Sequence, residues 1–378
     1  MNPIVIIGGG ASALMLASLL PSNRATLIET NTKIGAKIQV SGGGKCNITN
    51  RVMDPAYYLG EEYFIQPALD LFDEKMLLAW LAQRGLEPVM RKGSQYFCPN
   101  SSKEILGIFQ RECSKQKILL GEKVMRVTKK GKGFEVKTDK RTLSAERVVV
   151  ASGGLSYPQL NASDIGYRIA ESFGHTIAKT APALVGLTLQ PEQFFFKELS
   201  GASTEVRITV GERVVEGALL FAHKGISGPA VLDASLYWEK GKIEIDFLPD
   251  IDWDAFVRSE KQISSLLPMP KRVTKAFLLQ LDLEDKPGKK LTSSELEQLK
   301  SLCCYSFAPA GTFGYAKAEV TKGGVATDEV NAYTMMSEKE EGLYFIGEVL
   351  DVTGRLGGYN FQWAFASAYV CSQHLINA

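Results

Sequence analysis

A glycine-rich run near the start of the chain restricts the possible folds more than any other feature. Gly8-Gly9-Gly10-Ala11-Ser12-Ala13 follows the apolar segment Ile4-Val5-Ile6-Ile7 and precedes a helix predicted over residues 12–20. A GxGxxA pattern between a strand and a helix is typical of dinucleotide-binding domains, because Gly8 permits a tight turn and Gly10 lets the backbone approach a pyrophosphate at the helix N-terminus. The run therefore predicts a dinucleotide site.

An acid at the end of the second predicted strand supports this site. The segment Ala25–Glu29 reads as a buried strand, and Glu29 is its last residue. Its carboxylate can accept hydrogen bonds from the hydroxyls of an adenosine ribose, and its charge disfavours a 2′-phosphate. Because this pattern serves both FAD and NAD, the choice between the two cofactors depends on other segments.

Two further segments favour FAD. The run Ser41-Gly42-Gly43-Gly44-Lys45-Cys46-Asn47 follows Lys37 and can wrap a phosphate or an isoalloxazine edge with its backbone N–H groups; a mobile surface loop is the alternative. Residues 347–354 combine a strand end with two acids, which suits the hydroxyls of a ribityl chain, and residues 357–360 open the last helix. A helix N-terminus stabilises negative charge on a reduced flavin, and NAD has no ribityl chain.

The composition argues against several other classes of protein. The 378 residues include 43 Lys and Arg against 42 Asp and Glu, a net charge of +1. We therefore expect no nucleic-acid partner held by a basic field, although a local patch remains possible. Six cysteines without a CxxC pair indicate reduced thiols, and three histidines leave little for a zinc site. The triple glycine interrupts the uncharged stretch 3–23, so we expect a cytoplasmic protein without a membrane partner.

The patterns along the chain predict an interrupted α/β domain. Strand-like and helix-like segments alternate at first, with a hairpin over residues 123–138, and apolar alternation then gives way to helices. We predict an FAD-binding domain of residues 1–188 and 322–378, a β-rich insert of residues 189–250 and 306–321, and a helical subdomain of residues 251–305. Single helices are predicted over residues 67–84, 253–267, 271–281, 293–303 and 362–375.

Few side chains are candidates for acid–base catalysis. His223 lies in a loop-like segment and either relays a proton beside a flavin or is held structurally by its own loop. Tyr157 and Tyr359 are further donors, with packing as the alternative role. Cys46 has no second cysteine nearby in the sequence, so a buried thiol is favoured over a redox-active disulfide. We take His223 and Tyr157 as the catalytic candidates.

Several long strings give the chain a resemblance to a known family. They are GEVLDVTGRLGGYNFQWAF from Gly347, SGGGKCNITN from Ser41, GGLSYP from Gly153, LFAHKGISGP from Leu220 and TKGGVATDEV from Thr321. Over nearly its whole length the chain resembles the flavoprotein family that contains aminoacetone oxidase and bile-acid-reductase-like members. Arg355 departs from the pattern of that family, which commonly has an aromatic residue there.

The resemblance implies a fold and a set of FAD contacts. The fold is α/β, a Rossmann-like FAD domain of the glutathione-reductase type with an inserted β-barrel-like domain and a small helical subdomain. The implied cofactor-binding residues are Gly8, Gly10, Ala11, Ser12, Ala13, Glu29, Lys37, Ser41, Gly42, Gly43, Gly44, Lys45, Cys46, Asn47, Val124, Ala151, Ser152, Gly153, Gly347, Glu348, Asp351, Gly358, Tyr359, Asn360 and Phe361.

Together these observations predict an FAD-dependent oxidoreductase. It would transfer hydride between a small organic substrate and non-covalently bound FAD, as an oxidase or as an NAD(P)H-dependent reductase. No second GxGxxG follows a strand, so NADH or NADPH would bind only transiently. A flavoprotein acting on RNA, a flavin-binding redox sensor without turnover, and an NAD-dependent dehydrogenase are the alternatives. The substrate and the oligomeric state are not fixed by the sequence.

Overall fold

The computed structural model describes residues 2–377, which divide into two compact units. The first unit comprises the chain up to Pro182 together with the chain from Val320 onward, and the second is Ala183–Glu319. The second unit is therefore an insertion in the sequence of the first.

The part of the first unit that precedes the insertion ends within the strand Ile177–Ala183, whose last residue, Ala183, already belongs to the second unit. Its elements in chain order are β1 (Asn2–Ile7), α1 (Ala11–Leu19), β2 (Ala25–Glu29), α2 (Ala36–Gly44), β3 (Asn47–Asn50), β4 (Tyr58–Leu59), α3 (Glu62–Leu71), α4 (Glu74–Ala82), β5 (Val89–Arg91), β6 (Gln95–Phe97), α5 (Lys103–Cys113), β7 (Lys117–Leu120), β8 (Val124–Lys130), β9 (Gly133–Thr138), β10 (Thr142–Val150), α6 (Ile165–Ser172) and β11 (Ile177–Ala183).

The second unit and the return to the first complete the chain. The second unit contains β12 (Leu187–Thr188), α7 (Phe195–Glu198), β13 (Ser203–Val210), β14 (Arg213–Ala222), β15 (Gly225–Ser227), α8 (Pro229–Tyr237), β16 (Ile243–Asp246), α9 (Trp253–Phe256), α10 (Ile263–Leu266), α11 (Lys271–Gln280), α12 (Ser293–Lys300), β17 (Tyr305–Phe307) and β18 (Gly311–Thr312). The first unit then resumes with β19 (Val320–Val325), β20 (Leu343–Phe345), β21 (Thr353–Gly354) and α13 (Tyr359–Asn377).

A parallel sheet forms the centre of the first unit. Its strands lie in the order β7-β2-β1-β10-β20, and all neighbouring pairs are parallel. β1 and the end of β10 are apolar runs buried on both faces, as expected for a parallel sheet with helices on each side. Helices α1 and α13 pack against each other. None of the helices between residues 2 and 377 is both long enough and apolar enough to span a membrane.

Strand β10 forms parallel pairs with one neighbour and antiparallel pairs with another. Its second half is parallel to β1, with Val149 opposite Ile6, and its first half is antiparallel to β9, with Ala145 opposite Phe134. β9 in turn pairs with β8 in the hairpin that the sequence predicts. The three-stranded antiparallel extension is therefore continuous with the central sheet.

The second unit is built on an antiparallel sheet of seven strands in the order β17-β16-β13-β14-β15-β12-β18. β13 and β14 form its longest hairpin, and four fully buried phenylalanines fill the core beside it. These are Phe196, Phe221, Phe247 and Phe277.

Two of the predicted helices are interrupted. Residues 67–84 form α3 and α4, because the Asp73 carboxylate accepts a hydrogen bond from Met76 N at 2.8 Å and caps a new helix. Residues 253–267 form only the short helices α9 and α10. Between these two helices the chain turns and then forms a β-bridge from Gln262 to Pro287, in which Gly288 N donates to Lys261 O and Ile263 N donates to Lys286 O.

Candidate functional site

Four parallel strands of the first unit end at one edge of the sheet, and predicted cofactor residues follow each of them. The pairs Ile7–Ile28, Ile7–Val150 and Val150–Phe345 lie side by side in the register of the sheet. In open α/β sheets, ligands bind outside the carboxyl ends of the strands. The residues at or just beyond these ends are Gly8, Glu29, Ala151 and Gly347. Segments far apart in sequence therefore meet where a dinucleotide is expected.

The first glycine turn leaves an open space before α1. Gly8 has a φ of +112°, and a Cβ on it would lie 2.4 Å from Ala151 O. Gly10 is the N-cap of α1 and has no side chain to cap the helix, and a Cβ built on it would meet no atom within 4 Å. Ala13 is fully buried, as close packing of helix and strand requires. A pyrophosphate fits this arrangement.

The Glu29 carboxylate is held by three N–H donors. Gly9 N donates to Oε2 at 2.6 Å, while the backbone and side-chain nitrogens of Asn31 both donate to Oε1 at 2.7 Å. A carboxylate offers about four acceptor positions, so the orientation is fixed while capacity for a hydroxyl remains. Asn31 was not among the predicted site residues, although it stands only two positions after Glu29.

The second glycine run is the irregular end of a helix, where the sequence predicted a loop. In α2, Ser41 is extended, and Gly42 and Gly43 have φ values of 55° and 65°. Cys46 N donates to Ser41 O at 3.1 Å, which closes the turn. A Cβ on Gly43 or Gly44 would meet no atom within 4 Å. The run therefore presents accessible backbone, as contact with a cofactor requires.

A polar cluster connects three of the predicted segments. Lys37 Nζ lies 2.7 Å from Glu348 Oε2 and 5.9 Å from the ring centroid of Tyr157. Glu348 Oε1 accepts from Thr321 N at 2.9 Å, and the hydroxyl of Thr321 accepts from the backbone of residues 155–156. Lys37, Glu348 and Tyr157 are thus brought together. Thr321, which the sequence analysis did not place in the site, links them.

The start of α13 is fixed by close backbone packing. Gly358 has a φ of +99°, and a Cβ there would lie 2.6 Å from the carbonyl carbon of Thr49. The Asn360 amide accepts from Gly354 N at 2.9 Å and donates to Gly354 O at 2.8 Å. Tyr359 O accepts from the Tyr58 hydroxyl. The close approach to Thr49 and these hydrogen bonds hold residues 357–361 in one position relative to β3, β4 and β21.

Two other predicted residues occupy buried or partly buried positions. Burial and the nearby charge of Glu61 raise the pKa of Asp351. Val124 is buried at the start of β8. Glu122, two residues earlier, donates its N–H to Glu29 O at 3.0 Å, so the beginning of β8 lies beside the strand end that carries Glu29.

Cys46 has a cysteine neighbour that the sequence does not reveal. Cys46 and Cys98 are both fully buried, and Cys98 N donates to Cys46 O at 3.4 Å. A hydrogen bond between the two thiols, together with burial, raises the pKa of Cys46. Its thiol is therefore neutral and paired, so contact with a cofactor would involve the backbone of Cys46.

The two catalytic candidates lie in different units. Tyr157 belongs to the first unit, in a left-handed conformation with φ of +64°. His223 belongs to the second unit, where it is exposed in the two-residue turn that joins β14 to β15. Its participation in the site stays a prediction. Over residues 2–377 no group of three or more His, Cys, Asp or Glu side chains is placed to hold a metal ion.

The fold and the sheet edge define the class of protein. A Rossmann-type α/β unit with these features is the FAD-binding architecture of flavin-dependent oxidoreductases. The family described as "HI0933-like protein Rossmann domain" matches residues 2–374, and the chain belongs to that family.

Relatives align over almost their whole lengths. The chain is 38% identical to the ribosomal RNA dihydrouridine synthase of Escherichia coli strain K12, with 99% of this chain and 98% of the relative covered. It is 37% identical to the protein of the same name from Haemophilus influenzae, with 97% of each covered. It is 30% identical to the 3-dehydro-bile acid delta(4,6)-reductase of Clostridium scindens, with 99% of this chain and 98% of the relative covered.

Solved structures support the fold. The 3-ketosteroid-delta4-(5alpha)-dehydrogenase of Rhodococcus jostii RHA1, in complex with 4-androstene-3,17-dione, has a TM-score of 0.50 and 10% identity, with 98% of this chain and 96% of that chain covered. At this identity the similarity concerns the fold alone. It agrees with the predicted α/β Rossmann-type FAD-binding architecture.

One prediction from the composition is wrong. We expected no nucleic-acid partner because the charges of the chain balance, yet two relatives that align along nearly the entire chain are named for a reaction on ribosomal RNA. Net charge averages over the whole surface, so it does not report how the charges are distributed.

Proposed function

We propose that this protein is an FAD-dependent reductase that converts uridine to dihydrouridine in ribosomal RNA. The observation that carries the proposal is the 38% and 37% identity, over nearly the full chain, to two proteins named for that activity. The site residues of the first unit support the FAD part of this proposal, because their geometry would suit each part of FAD.

The names of the relatives share one type of chemistry. Dihydrouridine forms by reduction of the uracil C5=C6 bond, which is conjugated to the C4 carbonyl, and a bile acid delta(4,6)-reductase acts on double bonds conjugated to a 3-keto group. In both, hydride adds to the carbon of the reduced double bond that is farther from the carbonyl, and a proton adds to the other carbon of that bond. Bound FAD supplies the hydride when it is reduced, and NADH or NADPH would restore the two electrons.

The first unit would hold FAD along the edge of its parallel sheet. The open helix end at Gly10 suits the pyrophosphate, and the oriented carboxylate of Glu29 suits the adenosine ribose. Glu348 and Asp351 suit the ribityl hydroxyls. The accessible backbone of residues 41–47 and the fixed start of α13 would position the flavin ring.

The proton requires a donor from this chain. Tyr157 is the candidate in the first unit, since its ring lies 5.9 Å from the ammonium of Lys37, which Glu348 holds in place. His223 is the candidate in the second unit, because an imidazole can donate a proton near neutral pH. Separate substitution of each residue distinguishes the two roles.

The test is complementation in cells. An E. coli strain lacking its own ribosomal RNA dihydrouridine synthase would express this chain, and mass spectrometry of nucleosides would measure dihydrouridine in purified ribosomal RNA. We expect dihydrouridine to reappear with the unaltered chain. If the protein is made and yellow while the RNA remains without dihydrouridine, the proposed substrate is wrong; reduction of a steroid dienone by the same preparation would then assign it to the chemistry of the third relative.

A further inference from the structure

The antiparallel hairpin β8–β9 carries a concentration of positive charge that the balanced net charge conceals. Residues 123–141 contain eight Lys and Arg against two acids, a local charge of +6. All eight cations are exposed. We call this segment the basic hairpin; its cations are Lys123, Arg126, Lys129, Lys130, Lys132, Lys137, Lys140 and Arg141.

Most of these cations have no acidic partner. Lys129 pairs with Glu340, Lys130 with Glu135, and Arg141 with Glu122. The other five form no ion pair with any residue that the structure describes: Lys123, Arg126, Lys132, Lys137 and Lys140. Their charge is therefore available to an external anion.

Two of the unpaired cations face each other across the strands. In the register of β8 and β9, Arg126 lies directly opposite Lys137, on the face opposite to the buried pair Val127–Val136. Like charges at directly opposed positions destabilise a sheet. The hydrogen bond with Lys130 lowers the pKa of Glu135, and the charges of Arg126 and Lys137 act in the same direction.

An arrangement that opposes stability is explained if the charges bind a partner. The phosphodiester backbone of a nucleic acid is complementary in charge to a strip of exposed cations, since each contact with a phosphate releases condensed counterions. We propose that the basic hairpin docks the sugar–phosphate backbone of ribosomal RNA beside the nucleotide to be reduced, an inference that rests on the proposed function.

The position of the hairpin in the first unit is consistent with this role. Glu122, which directly precedes the hairpin, donates its N–H to Glu29 O at 3.0 Å. The Glu122 carboxylate accepts a hydrogen bond from the Thr138 hydroxyl at 2.7 Å. The docking surface is thus fixed to the edge that would hold FAD. The same proximity offers a competing role, in which the cations assist FAD binding, so flavin content must be measured together with RNA binding.

The experiment compares two variants that lose the same charge. The hairpin variant carries Lys123→Gln, Arg126→Gln, Lys132→Gln, Lys137→Gln and Lys140→Gln. The control variant carries Lys240→Gln, Lys242→Gln, Lys261→Gln, Lys271→Gln and Lys275→Gln, five exposed lysines of the second unit that form no ion pair with a described residue. Filter binding would measure the affinity for ribosomal RNA purified from the E. coli strain used above, at several salt concentrations.

We expect that only the hairpin variant binds this RNA on the order of tenfold more weakly or worse. If all five cations contact phosphate, the slope of log affinity against log salt concentration should be smaller in magnitude by about 3 to 5. The flavin content of this variant should equal that of the unaltered protein. The double variant Arg126→Gln/Lys137→Gln, which removes only the opposed pair, should melt at the same or a higher temperature and still bind more weakly, which excludes misfolding as the cause.

Several results would overturn the inference. Equal losses of RNA affinity in both five-residue variants would mean that the RNA responds to the total positive charge of the protein and not to the hairpin. A loss of flavin from the hairpin variant would assign these cations to cofactor binding. If the unaltered protein restores dihydrouridine while the hairpin variant binds RNA normally, only the docking surface is wrong. If the unaltered protein neither binds the RNA nor restores dihydrouridine, the proposed function fails with it.

Discussion

Glu29 shows how a single residue can be prepared for a cofactor before the cofactor binds. Its two carboxylate oxygens are oriented by Gly9 N and by both nitrogens of Asn31. Hydrogen bonds to a charged group are stronger than those between neutral groups. A ribose hydroxyl donating to this carboxylate would therefore meet an acceptor that needs no rearrangement.

We expect Glu29→Ala to weaken FAD retention by about 1.5–3 kcal/mol, because charged hydrogen bonds to the ribose are lost. The measurement is the flavin-to-protein ratio after dialysis, followed by titration with FAD. Glu244→Ala, at an exposed strand acid of the second unit, is the control and should retain flavin fully. Full flavin occupancy in Glu29→Ala would show that the ribose binds elsewhere.

His223 requires a different measurement, because the role proposed for it is proton transfer. We expect His223→Ala to slow reduction of the flavin by NAD(P)H or its reoxidation by RNA by about 10²–10⁴-fold, the typical contribution of a positioned acid or base, with flavin content unchanged. Lys224→Ala, in the same two-residue turn, controls for the shape of the turn. Equal rates in stopped-flow experiments for both variants would leave His223 with a structural role only.

At the scale of residues, the sequence predicted site residues where all the parts of a binding motif lie close together along the chain. Glu29 and Gly10 were predicted as site residues because a strand, a turn and a helix follow one another within a short segment, and the structure has these elements. Thr321 and Cys98 could not be found in this way. Thr321 meets residues 155–156, and Cys98 meets Cys46, only because the chain folds back on itself.

At the scale of elements, the central strands and the hairpin follow from local patterns, and the interrupted helices do not. The apolar runs of β1 and β10 and the turn at residues 131–132 were predicted from sequence and are present. The break between α9 and α10 comes from pairing of residues 261–263 with residues 286–288, a long-range contact that overrides helical spacing. The break at Asp73 had a local signal, its capping side chain, that the periodicity obscured.

The start of α1 gives the sharpest prediction at this scale. Gly10 has a φ of −84° and open space around its Cβ position, so Gly10→Ala should fold without strain. The stability of the flavin-free protein should change by less than about 1 kcal/mol, because alanine lowers the entropy of the unfolded chain but is a poorer N-cap residue than glycine. The added methyl group would nevertheless occupy the space proposed for the pyrophosphate, so FAD should bind on the order of tenfold more weakly or worse.

Gly107→Ala in α5 is the matched control, because this glycine lies within a helix and its nearest outside atom is 3.9 Å from the Cβ position. Thermal melting and FAD titration of both variants provide the measurement. Normal FAD affinity in Gly10→Ala would place the pyrophosphate away from this helix end.

At the scale of the whole molecule, charge was the property that the composition described least well. The net charge of +1 is real, yet residues 123–141 alone carry +6. A sum over the chain cannot distinguish an evenly mixed surface from one with a basic hairpin. The flavoprotein class, in contrast, could be predicted from the sequence, because the glycine turn, the strand-end acid and the C-terminal segment each carry a local pattern, and all three lie at one edge of the sheet.

The most direct test of the account is whether RNA takes electrons from the protein's flavin. The purified protein would be reduced under anaerobic conditions, and the visible flavin absorbance would be followed after addition of ribosomal RNA that lacks dihydrouridine. We predict that the absorbance returns as the flavin is reoxidised, with dihydrouridine formed in proportion to flavin oxidised. Flavin that stays reduced in the presence of this RNA, yet is reoxidised by another acceptor, would contradict the central claim.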